Sequence, residues 1–309
     1  MNPLAGKDIL DIPSLLKDEI DLILETSREF EESLTRQSHI PLLHDSILVT
    51  LFYEPSTRTR LSFEAAMLRL GGAVVSVAEV GSSSVAKGES LQDTVRTIEQ
   101  YADAIAMRHP LAGAARLAAD VVGIPVINGG DGSRNHPTQA LLDLYTIRKE
   151  RGGIHHQTVA MVGDLKYGRT THSLAEALTH YDVHLLLVSP PDLPMPDEIK
   201  DELRRTGASF EETSDIERAA READVIYVTR IQRERFASSE EYERLRGTYR
   251  VDMALVERSR PDVTIMHPLP RVDEIAAEVD GFKGAAYFRQ ARNGVYVRMA
   301  ILALVLNAV

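Results

Sequence analysis

Short apolar runs with strand character recur along this chain in two series, each run followed by a loop and most by a helical pattern, and that alternation leaves few ways to fold. The first series is Ile47–Phe52, Ala73–Val77, Ala104–Met107 and Val126–Ile127. The second is Val159–Val162, His184–Val188, Val225–Thr229 and Val263–Met266. Helical stretches separate them, among them Leu61–Leu70, Pro137–Glu150, Ser173–Thr179 and Pro196–Arg205. An amphipathic helix is expected after Ser14, a candidate N-cap with Asp18 and Glu19 in the early turns. Apolar strands alternating with helices imply parallel sheets covered by helices. The predicted class is α/β: two doubly wound α/β domains, each with a central parallel sheet, and a C-terminal helix returning to the first domain. The 309 residues fit two domains of ~150 residues, with the boundary expected at Arg151–Gly153.

Composition narrows the chemistry. With no cysteine there is no disulfide, thiolate zinc site or cysteine nucleophile. A net charge of -11 argues against a nucleic-acid binder, which would concentrate positive charge. The start, MNPLAGKDILD, carries early acids and no apolar core, so no secretory signal is expected. Val295–Val309 is shorter than the ~20 residues of a membrane span and contains Arg298. A buried helix and no membrane association are expected instead.

The segment Glu54–Arg60 places Ser56, Thr57, Arg58, Thr59 and Arg60 between an apolar strand and a helix. Unpaired backbone N–H groups and the positive end of the helix dipole favour an anion there, and hydroxyls and guanidiniums add phosphate donors. An N-cap followed by solvated arginines is the plainer alternative for a lone S-x-R, but two arginines and three hydroxyls in five residues point to a phosphate site.

Further candidates also follow strands, where α/β sheets collect ligands. Arg108 and His109 end one. His136, before Pro137 at a first helical position, could donate to a carbonyl oxygen, with Gln139 close by. Gly163–Thr170 misses the phosphate-loop pattern G-x-x-x-x-G-K-[ST] because Arg169 replaces the lysine, and a planar fork suits a carboxylate better than a phosphate cradle. Arg230 and Gln232 offer another fork. In His267–Arg271 two prolines fix the backbone and leave carbonyls to accept from an amine. Gly81–Gly88, with Ser83 and Lys87, reads by itself as a surface loop.

Taken together, STRTR, SSVAKGE, MRHP, HPTQALLD, GDLKYGRT, TRIQ and HPLPRVDEI resemble, in order and along essentially the whole length, the aspartate carbamoyltransferase catalytic chains. The resemblance implies a carbamoyl phosphate domain, residues 1–151 with 287–309, an aspartate domain, residues 152–286, and an active site between them. It implies a cytoplasmic homotrimer with active sites shared between subunits, and possible regulatory chains. By motif match, Ser56, Thr57, Arg58 and Thr59 hold the phosphate and carbonyl of carbamoyl phosphate, with Arg108, His136 and Gln139 completing that site. Ser83 and Lys87 act on the neighbouring subunit's site. Arg169, Arg230 and Gln232 hold the carboxylates of L-aspartate, and the Leu269 and Pro270 carbonyls orient its amine and the carbamoyl group.

The implied reaction gives N-carbamoyl-L-aspartate and phosphate, an early step of de novo pyrimidine biosynthesis. Attack of an amine on an activated carbonyl needs positioning and charge stabilisation, with no enzyme nucleophile, cofactor or metal. No G-x-S-x-G or H-E-x-x-H motif occurs. Ala86 before Lys87, and Arg134 and Asn135 before His136, depart from the family pattern without removing a named ligand. An ornithine carbamoyltransferase would carry a cysteine near its C-terminal end, a P-loop hydrolase would need lysine at 169, and a non-enzymatic homologue would be expected to lose the charged residues.

Overall fold

The computed structural model describes residues 2–77, 88–233 and 238–309, so Ser83 and Lys87 lie outside the described residues. The chain folds into two compact units: one runs to Tyr145 and is rejoined by Arg292–Val309, the other spans Thr146–Ala291. The chain leaves the first unit within a helix and re-enters it within another.

The first unit contains α1 (Lys17–Leu34), β1 (Ile47–Phe52), α2 (Thr57–Arg69), β2 (Ala73–Val77), α3 (Leu91–Glu99), β3 (Ala104–His109), α4 (Ala114–Ala119), β4 (Val126–Asp131) and the start of α5 (Pro137–Arg151). Its sheet is parallel, with order β2-β1-β3-β4. Val49, Leu51, Ile105, Met107 and Val126 pack with Val95 and the alanines of α4 in one apolar core. Four predicted strands are present. The first helix begins at Lys17, however: the Glu19 carboxylate accepts the Leu16 N–H at 2.8 Å, a backbone cap from inside the helix, while Ser14 bonds to Asp11. α2 likewise starts at Thr57 rather than Leu61, with Ser56 extended before it. β4 runs on through Gly129 and Gly130, fully buried.

The second unit carries β5 (Gln157–Val162), α6 (Arg169–Leu178), β6 (Val183–Val188), α7 (Asp197–Arg205), β7 (Ser209–Thr213), α8 (Ile216–Glu222), β8 (Val225–Val228), α9 (Ser239–Leu245), α10 (Met253–Arg258), β9 (Thr264–Met266) and the start of α11 (Tyr287–Val305). Its sheet is also parallel, with order β7-β6-β5-β8-β9. β7 has no counterpart among the predicted strands. Its sequence, SFEET, is polar because an edge strand leaves much of its surface in water. Ala160, Val162, Leu186, Val188, Ile226 and Ile265 form the core. No helix among the described residues is long and apolar enough to cross a membrane.

In each sheet the chain builds outward from its first strand, β1 or β5, then returns to that strand's other side. The β1/β3 and β5/β8 gaps are therefore topological switch points, the places in such sheets where ligands ordinarily bind.

Candidate active site

Beside the β1/β3 switch point, the turn after β1 becomes α2 through Ser56, whose side chain makes no capping bond. The first turn contains no acid, although acids ordinarily complement the helix dipole there; Arg58 and Arg60 take the place. Their surroundings differ. Arg60 is held at the side, donating to Ser76 Oγ at 3.1 Å and lying 3.6 Å from Glu64, whereas Arg58 is exposed at the helix start. Thr59 is buried beneath it.

Arg108, near the end of β3 and paired in register with Phe52 of β1, is 8% exposed. Its guanidinium donates to Glu54 Oε1 at 2.6 Å and to the Gly129 carbonyl at 3.2 Å. Glu54, just before the hydroxyl run, thus orients the fork across the switch point. Gly129 explains the glycines of β4: a Cβ there would stand 3.1 Å from the Met107 carbonyl oxygen and 3.3 Å from Thr59 Cγ2. The close approach lets the start of α2 settle against β4. His136 is buried at the entrance of α5, its carbonyl accepting the N–H groups of Gln139 and Ala140. Gln139 donates through Nε2 to the buried Asp143 at 2.9 Å, which fixes its amide. Ser56, Thr57, Arg58, Thr59, Arg108, His136 and Gln139 thus come from elements that share the carboxyl end of one sheet.

Beneath them lies a residue the sequence did not single out as functional. Arg298 of α11, 2% exposed, donates to Ser62 Oγ on α2 at 3.0 Å and to Thr138 Oγ1 on α5 at 3.2 Å, with its guanidinium 4.9 Å from the Phe63 ring centroid. Burial pulls it down to about 9, against the opposing pull of Asp143, so it stays a cation at neutral pH. Only its proximity in space, across a sequence separation of 236 residues to Ser62, gives it this place.

In the second unit the loop after β5 ends at Arg169, the first residue of α6. Gly163 has φ +124, and a Cβ there would overlap the Thr229 carbonyl oxygen, so the β5 and β8 loops meet backbone to backbone. The buried Asp164 joins them further, accepting the Tyr167 N–H at 2.9 Å and the Gln232 N–H at 3.4 Å. Burial pushes its carboxyl up, while those bonds and the nearby Arg230 pull it back in part. Gln232 Nε2 donates to the Tyr167 carbonyl at 2.9 Å. The loops carrying Arg169, Arg230 and Gln232 are thereby tied together.

A cleft in this unit is lined by Thr229, Arg230, Arg246, Tyr249, Asp273 and Glu274 among others, which brings the loop after β9 beside Arg230. In that loop Leu269 has φ +53 and precedes a cis peptide to Pro270. Arg271 turns away to Asp280 and the Tyr287 hydroxyl. Among the described residues no group of three or more His, Cys, Asp or Glu side chains could hold a metal ion.

Family models divide the chain in the same region, although the second of them runs on into the segment Arg292–Val309 that rejoins the first unit. The family model for the aspartate/ornithine carbamoyltransferase carbamoyl-P binding domain matches residues 7–149, and that for the Asp/Orn binding domain matches residues 155–305. The aspartate carbamoyltransferase catalytic subunit of Thermococcus kodakarensis is 55% identical over 302 residues, covering 98% of this chain and 97% of that protein. The catalytic subunit of M. Jannaschii aspartate transcarbamoylase superposes with a TM-score of 0.91 at 50% identity, covering 97% of this chain and 98% of that one. The Trypanosoma cruzi aspartate transcarbamoylase in complex with carbamoyl phosphate gives 0.93 at 38% identity, covering 99% and 98%. With both domain families matched in order and relatives aligned over nearly the full length, the chain belongs to the aspartate carbamoyltransferase catalytic subunits of the aspartate/ornithine carbamoyltransferase family.

Proposed function

We propose that the chain transfers the carbamoyl group of carbamoyl phosphate to the amine of L-aspartate, giving N-carbamoyl-L-aspartate and phosphate, an early step of de novo pyrimidine biosynthesis. What supports this choice of acceptor is the tie among Asp164, Tyr167 and Gln232, which joins the two loops that bear Arg169 and Arg230, and a guanidinium fork suits a carboxylate. The related T. cruzi enzyme has been crystallised with carbamoyl phosphate and aspartate together, and with N-(phosphonacetyl)-L-aspartic acid. Residues 1–151 with 287–309 form the carbamoyl phosphate domain in this reading, and residues 152–286 the aspartate domain.

The chemistry asks little of covalent catalysis. Ser56, Thr57, Arg58 and Thr59 bind the phosphoryl oxygens, with the start of α2 supplying N–H groups and dipole. Thr59, Arg108 and His136 stabilise the charge that develops on the carbonyl oxygen, and Gln139 holds the carbamoyl amide. Arg169, Arg230 and Gln232 grip the carboxylates, and the Leu269 and Pro270 carbonyls accept from the carbamoyl and aspartate nitrogens. The amine lone pair attacks the carbonyl carbon, the bond to the phosphate oxygen breaks, and the departing phosphate takes the amine proton. Incubation with L-aspartate and with ornithine, followed by product identification, tests the assignment: carbamoyl-aspartate is expected, and preferential formation of citrulline would overturn it.

The same reading makes the chain a cytoplasmic homotrimer, open to regulatory chains, in which Ser83 and Lys87 complete a neighbour's site. Arg58→Ala and Lys87→Ala are then each nearly inactive alone. In a mixed trimer one junction in three joins an intact Arg58 to an intact Lys87, so subunit exchange restores activity. Exchange confirmed by mass with activity at the parental level would refute the shared site.

A further inference from the structure

The loop after β9 is closed by two side chains that the reaction does not use. The Leu269 N–H donates to His267 Nδ1 at 2.7 Å, so that nitrogen carries no proton. The hydrogen therefore sits on Nε2, which donates to Glu274 Oε1 at 2.6 Å. The other oxygen of Glu274 accepts the N–H groups of Val272 and Asp273, each at 3.1 Å. The His267 N–H donates in turn to Gln290 Oε1 at 2.9 Å. Both side chains are buried, 1% and 7% exposed. Residues 267–274 are thus a ring whose two ends meet through an imidazole and a carboxylate. Burial works against the charge on Glu274, but the His267 bond and backbone N–H groups hold the carboxyl below its ordinary value, so it remains an acceptor at neutral pH.

We infer that His267, fixed as its Nε2–H tautomer by Glu274, is the positioning residue that sets the Leu269 and Pro270 carbonyls as acceptors for the carbamoyl N–H groups, and so selects a carbamoyl over an acetyl donor. The inference rests on the proposed role of those carbonyls. Leu269 is where the imidazole acts: its N–H is held by Nδ1, and the peptide carrying the next carbonyl begins on the same residue. A loop only tethered by its prolines would have its backbone restrained but not its carbonyl direction fixed.

The test compares carbamoyl phosphate with acetyl phosphate, which replaces the amide nitrogen by a methyl group and has no N–H to offer. Wild-type kcat/KM for carbamoyl phosphate and the inhibition constant of acetyl phosphate are measured first; no turnover of carbamoyl phosphate would end the proposed function itself. His267→Gln keeps a donor to Glu274 but not the acceptor for the Leu269 N–H. His267→Asn does the reverse, and Glu274→Gln keeps one acceptor oxygen. Each variant should lower kcat/KM for carbamoyl phosphate about tenfold, while acetyl phosphate binds within about twofold of wild type. Parallel weakening of both ligands would make the pair merely structural and overturn the inference, as would unchanged values for both. A variant that fails to fold is replaced by the other two, whose melting transitions are recorded alongside.

Discussion

In the first unit β1 passes into α2 within a few residues and the first helical turn carries its arginines directly, whereas in the second β5 ends in the loop Gly163–Gly168 before Arg169 opens α6. The strand order around the two switch points is alike, yet the buried charged groups behind them do different work, with Arg298 accompanied by the buried Asp143 in the first unit and Asp164 in the second. A cation, Arg298, ties α2 to α5 beneath the proposed phosphate site; an anion, Asp164, gathers the N–H groups of the β5 and β8 loops. A phosphoryl group asks for donors held in place over a helix start, and the Arg298 guanidinium holds that start by bonding α2 to α5. The two carboxylates of the proposed acceptor ask for separate forks at fixed spacing, and in the second unit the buried group sets loop geometry.

The most direct way to break that comparison is at the two arginines that open α2 and α6. Arg58→Ala should lower turnover by about 10²- to 10³-fold, since removing one preorganised donor to developing charge costs ~2.7–4 kcal/mol. The melting transition should stay in place, because the side chain is exposed. An unaltered kcat measured at saturation would take Arg58 out of the mechanism. Arg169→Lys should be milder and selective: an ammonium cannot reproduce the planar fork, so KM for aspartate should rise about 10- to 100-fold. KM for carbamoyl phosphate should change far less. Equal rises would mean that the two half-sites do not divide the substrates as proposed.

Much of this was legible in the sequence because strand-ending loops concentrate rare combinations. Ser56–Arg60, Arg108, His136 and Arg169 each sit where an apolar run stops, and the structure finds them at the carboxyl ends of the strands. Boundaries were less legible. The helix after Ser14 starts at Lys17 because a glutamate inside it replaces the hydroxyl cap, and β7 is hidden by its exposure at an edge. Arg298, His267 and Glu274 were invisible as positioning groups for a different reason. Their partners are brought to them by topology or by a closed loop, and no local pattern distinguishes a buried arginine in an apolar helix from a surface one until its neighbours are known.

The smallest effect separates the two glycines that let the loops approach. At Gly163 the backbone is left-handed, φ +124, and the atom a Cβ would strike is the backbone carbonyl oxygen of Thr229, a residue whose own N–H is tied to the Val162 carbonyl. At Gly129 the backbone lies outside that region, and the added methyl would press on Thr59 Cγ2 and the Met107 carbonyl at 3.3 and 3.1 Å, tight distances that a few tenths of an ångström relieve. Gly163→Ala should therefore cost on the order of 1–3 kcal/mol, and Gly129→Ala about 1 kcal/mol less. The second variant should instead raise KM for carbamoyl phosphate severalfold, because the group that yields is Thr59, a side chain of the proposed phosphate site. Thermal melting and initial rates on the same two preparations decide the point. Equal losses of stability, with KM unmoved in Gly129→Ala, would show that β4 bears the contact rigidly and that the start of α2 does not depend on it.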